Sequence, residues 1–305
     1  MLKELNNVKL LNKNNVLYCF ENNNYKNYLV TPPDAKKVKL EYNNYINIEE
    51  AFLFNNRWDH NFRHFIIETF CGIHKFLDKK IIIKEDCPKH NYQTLQILGL
   101  EDNIIRIKNN ECYNIKKLHI TINKRIKFTK EINNFIDLFI EKANKLSIIK
   151  LQNKNLYLSR EKYDQYQKEY TPKRWITNFN EIKDIFIKFH KIETHNMDLW
   201  DQVSSINQAE NIILLIGAGC DNYLFCNSKC NFIVLYPKFC RGWSKLLSEY
   251  NIKATYIGIQ CGIYNMTIKY NPKDKTKDLS NGPWICFKKI IINNLKKKYY
   301  LEKSK

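Results

Sequence analysis

The sequence has no long apolar run. Its best, Ile212 to Ile216, is strand-sized, far short of the ~20 residues that a membrane span needs. The opening stretch MLKELNNVKLLNKNN has no apolar core of the kind a secretory signal requires, because Asn or Lys interrupts each short hydrophobic run. These absences predict a soluble protein that stays in the cytoplasm, host or viral if the AT-rich source is a virus. Paired C-x-x-C knuckles are also missing. Cys220, Cys226, Cys230 and Cys240 lie close in sequence, but their spacing does not build a structural zinc site. Ten cysteines without an export signal fit a reducing compartment, where they serve as small buried hydrophobes. There is no internal repeat and no low-complexity linker beyond a general Asn/Lys bias.

What the sequence has in excess is positive charge. Fifty Lys and Arg against 31 Asp and Glu leave a formal +19, which favours anions such as nucleotide phosphates, nucleic acid or an acidic membrane surface. Lys, Asn and Ile saturate the whole chain, as an AT-rich genome biases it. The basic residues form no dominant cluster, so a nucleic-acid-binding protein ranks last among the readings. With 305 residues, 44% of them hydrophobic, the chain can bury the core of one large domain or two ordinary ones.

The first ~50 residues alternate short apolar runs (Val16 to Phe20, Tyr28 to Val30) with Asn-rich turns and Pro32-Pro33, which reads as β-hairpins. A β/α rhythm follows: a helix capped by Asp59 and running to about Leu77, a strand Ile81 to Ile83, a helix Tyr92 to Leu98, a strand Ile104 to Ile107, and a long amphipathic helix from Thr129 to about Leu146. After the polar segment Lys150 to Asn155 the alternation resumes. It comprises a strand at Leu156, helices Asn180 to Phe189 and Leu199 to Ala209, strands Asn211 to Ile216 and Phe232 to Leu235, and a helix Trp243 to Tyr250. Such alternation predicts an α/β protein with parallel sheet covered on both faces. The expected division is residues 1–149, residues 150–283, and a basic C-terminal helix over 284–305 that packs back on the first domain.

One motif carries chemistry on physical grounds. The strand Ile212 to Ile216 runs into Gly217-Ala218-Gly219-Cys220-Asp221-Asn222, and a helix follows. Bare N–H groups at a helix start, at the carboxyl edge of a parallel sheet, form a phosphate-site candidate. A lone G-x-G equally describes a tight strand-to-helix turn.

The surroundings add specificity. Leu156-Tyr157-Leu158-Ser159-Arg160, then Arg174-Trp175-Ile176-Thr177-Asn178-Phe179-Asn180-Glu181, then Asp201-Gln202, precede the glycine strand in that order. The series resembles glycosyltransferase family 61, with its Leu-Tyr-x-Ser-Arg strand, Arg-x-Ile-x-Asn-x-x-Glu helix start, Glu-Gln helix and Pro-His-Gly-Ala-Gly loop. In the first half Asn61, His64 and Glu68 resemble the family's Asn-x-x-His-x-x-x-Glu helix, and Tyr92 to Arg106 resembles its segment ending in Leu-Gly-Leu-x-x-x-x-Ile. The resemblance covers about residues 55 to 240 and implies a GT-B-type fold, two Rossmann-like domains facing a central cleft. It also implies a nucleotide-sugar co-substrate, most simply UDP-linked, a glycan or glycoprotein acceptor, inversion at the anomeric carbon and no metal. The absence of any Asp-x-Asp agrees with the last point.

Without a metal, a leaving diphosphate must be met by guanidinium groups and backbone amides. The donor-binding candidates are therefore Arg160, Arg174, Asn178, Glu181, Gly217, Ala218, Gly219 and Asn222. An inverting transfer needs one general base. His64 is the first candidate, with Glu68 orienting it or taking the role itself, and Asn61 one turn before. An interdomain histidine, a helix ion pair, or a metal held by His60, His64 and Glu68 remain as alternatives. Two positions depart from the family pattern: Ile216 stands where the family has a histidine before Gly-Ala-Gly, and Val234 where the next strand carries a glutamate. An enzyme with an altered donor and a catalytically inactive binding protein therefore both stay open, as does the oligomeric state.

Overall fold

The computed structural model describes residues 2–13, 16–21, 24–26, 45–55, 60–121, 128–159, 179–237, 253–264 and 284–301. The chain divides into two compact units, Met1–Leu146 and Ser147–Lys305.

The first unit is built on a seven-stranded mixed sheet. Strands β1 (Leu2–Lys13), β2 (Val16–Glu21) and β3 (Asn24–Lys26) form an antiparallel meander, and β4 (Ile46–Leu53), β5 (Lys80–Lys84), β6 (Ile104–Ile107) and β7 (Cys112–Thr121) complete it in the order β3-β2-β1-β7-β4-β5-β6. β4, β5, β6 and β7 run parallel, and β1 lies antiparallel on β7. Three of the seven strands thus form a meander, where the sequence reading expected a Rossmann-like domain. The short link after β6 returns to the end of β1: the Asn12 side chain donates to the Ile107 carbonyl at 3.1 Å, and the Asn110 N–H donates to the Asn12 carbonyl at 2.6 Å. Leu5, Val8, Leu10, Ala51, Leu53, Ile82, Ile107, Ile115 and Leu118 share one core as a result.

Helices close the other side of this unit. Phe62–His64 (α1) continues as a π-helical turn Phe65–Thr69 and a 3-10 segment Phe70–Lys75, then come α2 (Lys89–Leu98) and α3 (Lys130–Leu146). In α3 the residues Ile132, Phe135, Ile136, Phe139, Ile140 and Ala143 are buried, the i, i+3, i+4 stripe of an amphipathic helix. α2 stops at Gly99, whose φ of 73° is the left-handed value that only glycine takes without strain. The Lys142 ammonium then donates to the Leu98 carbonyl at 2.7 Å.

The second unit carries a six-stranded sheet of β8 (Asn155–Leu158), β9 (His190–Ile192), β10 (Asn211–Leu215), β11 (Asn231–Pro237), β12 (Thr255–Tyr264) and β13 (Trp284–Cys286), in the order β13-β12-β11-β10-β8-β9. All neighbours are parallel except β12 and β13. Along β10 and β11, Ile213, Leu215, Ile233 and Leu235 face α4 (Phe179–Phe186) and α6 (Lys288–Leu301), through Ile182, Phe186 and Ile291. The intervening residues face the opposite side, where Tyr223 packs on Phe232 and Tyr256. Both faces are covered, as a run of five parallel strands requires. Ile291 of the C-terminal helix packs in the second unit's own core, and α6 follows the edge strand β13 directly.

Candidate functional site

The strand order places a topological switch in the second unit. From β8 the chain goes out to β9, then returns through α5 (Leu199–Gln208) past β8 to β10. The connection after β8 goes to one side, to β9, and the connection after β10 to the other, to β11, so the carboxyl ends of β8 and β10 are the place where open α/β sheets take their ligands. β8 and β10 are in register there, Leu158 opposite Leu214. Ser159 and Gly217 follow at neighbouring strand ends.

The glycine turn is held from behind. Gly217 starts the 3-10 helix Ala218–Phe225, with Cys220 N–H donating to the Gly217 carbonyl at 3.0 Å and Gly217 N–H pointing to Cys220 Sγ at 3.4 Å. Asn222 is fully buried; its amide donates to the Gly219 carbonyl at 2.9 Å, and its Oδ1 accepts from Gln202 Nε2 at 2.6 Å. Farther along, Tyr223 donates to the Ala254 carbonyl at 2.6 Å, and burial pushes its phenol up to about 12. The N–H groups of Ala218 and Gly219 precede any acceptor within their own helix, and both residues are only partly buried. A Cβ added at Gly219 would meet nothing nearer than Leu214 Cδ1 at 3.8 Å, ordinary contact, so internal packing does not demand glycine there.

The two departures from the family pattern are both buried. Ile216 is 1% exposed and donates its N–H to the Leu235 carbonyl, and Val234 is fully buried in β11 beside Leu214 and Gly258. Apolar side chains fill both positions, so neither leaves a polar group unmatched. Glu181 lies exposed in the first turn of α4. α4 leads into β9 at the amino edge, so its first turn belongs to the carboxyl edge. Arg160, Arg174 and Asn178 lie outside the described residues.

In the first unit, the sequence reading caps the site helix with Asp59, which is outside the described residues. The helix starts at Phe62 and its cap is Asn61, whose Oδ1 accepts the Arg63 N–H at 3.1 Å. Asn61 therefore sets where the helix begins. The expected uniform helix does not continue from there. The Phe70 N–H reaches the Phe65 carbonyl across a π-turn, and the chain then tightens where Gly72 passes Thr121, a Cβ on Gly72 coming within 2.5 Å of Thr121 Cγ2. Single π-turns of this kind recur at functional sites.

His64 precedes the π-turn and Glu68 lies within it, with His64 Nδ1 2.6 Å from Glu68 Oε1. An ionised Glu68 can only accept, so Nδ1 carries the hydrogen and Nε2 is the basic nitrogen of the neutral ring. His64 is about one third exposed, while Glu68 is buried and its Oε2 has no hydrogen-bond partner among the described residues. The wall behind is aromatic: Phe65 packs against Phe54, Phe70 and His90, with centroid distances of 5.7, 6.2 and 4.5 Å. No group of three His, Cys, Asp or Glu among the described residues is placed to hold a metal ion, so His60, His64 and Glu68 do not assemble as one.

The Gln202 to Asn222 contact escaped sequence reasoning as a functional link, although Gln202 stands in the quoted Asp201-Gln202 pair. The signal available was its family position alone, since no local pattern joins residues on different elements.

No curated protein matches the chain. The family profile described as Glycosyltransferase 61 matches residues 62–233, just over half of the 305 residues, a span that runs from the His64/Glu68 helix through the glycine turn into β11. The chain belongs to glycosyltransferase family 61.

Proposed function

We propose that the protein is an inverting, metal-independent glycosyltransferase of the GT-B type that moves a sugar from a nucleoside-diphosphate donor to a glycan or glycoprotein hydroxyl. The glycine turn at the switch point carries this reading. It offers the Ala218 and Gly219 amides at a helix start, and Gly219 leaves room that packing within the protein does not use. In the transfer, the acceptor oxygen bonds to the anomeric carbon as the bond from that carbon to the diphosphate breaks. His64 takes the acceptor's proton at Nε2, and Glu68 stabilises the resulting imidazolium through Nδ1. The charge that builds on the diphosphate falls to the turn amides with Arg160 and Arg174. No helix among the described residues is long and apolar enough to cross a membrane.

Calorimetry of purified protein against a panel of nucleotide sugars tests the reading. Micromolar to millimolar binding of one donor, lost in Arg160→Ala and Arg174→Ala, is the expected result; no binding across the panel sinks it.

The buried apolar Ile216 and Val234 favour a second reading, a family member that binds donor without turnover. Donor binding with no nucleotide release, indifferent to His64→Ala, would select it.

A further inference from the structure

One surface of the second unit lies where α4 and α6 meet. Lys288, in the first turn of α6, pairs with Asp184 in the last turn of α4 at 2.6 Å, which joins the two helix ends into one patch. Around this pair lie large apolar side chains that the fold leaves in solvent. Ile187, one residue beyond α4, is 81% exposed, and Phe287 and Ile290 on either side of Lys288 are 40% and 38% exposed. Their neighbours Lys183, Lys188 and Lys289 are exposed too. Asp184, the patch's acid, is occupied by Lys288, whose hydrogen bond holds its carboxyl below the usual range. Glu181 sits at the opposite end of α4.

Exposed Ile and Phe cost free energy in water, and isolated examples are common. Three of them interleaved with three lysines that form no ion pair with a described residue match a specific chemistry, since apolar groups enter the acyl boundary while ammonium groups meet anionic headgroups. A nucleic acid would reward the lysines and leave Ile187 and Ile290 unused. We infer that the α4/α6 surface around Ile187, Phe287 and Ile290 docks on an anionic lipid membrane. The cytoplasmic leaflet supplies such lipids, so the chain can reach a membrane without a spanning helix. This inference does not rest on sugar transfer, and donor binding is the control that separates the two.

The test is co-sedimentation of the full chain with vesicles of phosphatidylcholine alone and of equal parts phosphatidylserine and phosphatidylcholine. The protein is expected to pellet with the anionic vesicles and not with the neutral ones. Lys188→Gln with Lys289→Gln lowers partitioning about thirtyfold, and Ile187→Ser with Ile290→Ser about tenfold. All four positions are exposed, so both double variants should keep the wild-type melting temperature and donor affinity. Absence of anionic-vesicle binding overturns the inference. So does binding that the Ile187/Ile290 variant leaves undiminished, which would mark plain charge attraction. Capture of duplex RNA in place of vesicles, weakened by the lysine variant alone, would assign the patch to nucleic acid and overturn it equally.

Discussion

The two units hold their candidate groups in different ways. In the second, the glycine turn is fixed by strand order and by a buried amide relay, Gln202 to Asn222 to the Gly219 carbonyl, so backbone N–H groups are presented by a rigid frame. In the first, one side-chain pair, His64 with Glu68, spans an irregular turn between a cap and a close glycine contact. Backbone donors at a strand end survive most substitutions. A histidine aligned by one carboxylate does not, so turnover should be fragile where binding is robust.

The largest expected effect tests that contrast. His64→Ala should lower kcat by about 10²- to 10⁴-fold with donor KM unchanged, and Glu68→Gln should lower it less, as read by initial rates. A loss appearing in donor affinity instead would break the division of labour. Next, Gly72→Ala forces a Cβ to within 2.5 Å of Thr121 Cγ2 and should destabilise the first unit by about 1–3 kcal/mol, seen in thermal melts. Gln202→Leu removes the donor to buried Asn222 Oδ1; we expect a loss of about 1–3 kcal/mol together with weaker donor binding, which chemical denaturation and calorimetry measure side by side. Gly219→Ala is the sharper probe of the second unit. Its methyl has ordinary contact with Leu214, so the melting temperature should hold while donor affinity falls about tenfold. Equal stability and equal affinity would mean that no ligand approaches that backbone.

The smallest effect concerns pH. Hydrogen bonds from His119 and Lys79 hold the Glu50 carboxyl down from 4.5 to about 2. A carboxyl lowered in the fold stabilises it above its unfolded pKa, and the contribution fades as pH falls from 4.5 through about 2. The wild type should therefore melt progressively lower across that window, and Glu50→Gln should flatten this part of the profile. Glu50 is close to the surface, so the change will be modest.

Legibility in the sequence followed the range of the forces. The run Ile212 to Ile216 before Gly217 announced both β10 and its turn, because a fully buried parallel strand is hydrophobic throughout. The stripe of α3 was equally plain. β7 was not, since Lys116 and Lys117 interrupt its apolar residues and it gains its place only by pairing with β1 and β4. The π-turn was hidden for a similar reason: the 3.6-residue period of Phe62 to Phe76 looks uniform until Gly72 must pass Thr121. Of the candidate site, the His64–Glu68 pairing and the glycine turn after β10 were legible, but the amide relay behind the turn was not, because Gln202 and Asn222 meet only once α5 crosses over β8.

At the amino edge of the second sheet three asparagines stand at matched positions. Asn211 donates its amide to Asn155 at 2.7 Å, and Asn231 donates to Asn211 at 2.9 Å, crossing β8, β10 and β11. A slide of any of these strands by one residue would turn an asparagine to the wrong face and break the chain of amides. The rung at one end works as a ruler for the other, fixing how far each strand travels before the chain turns at Ser159 and, two residues farther along, at Gly217.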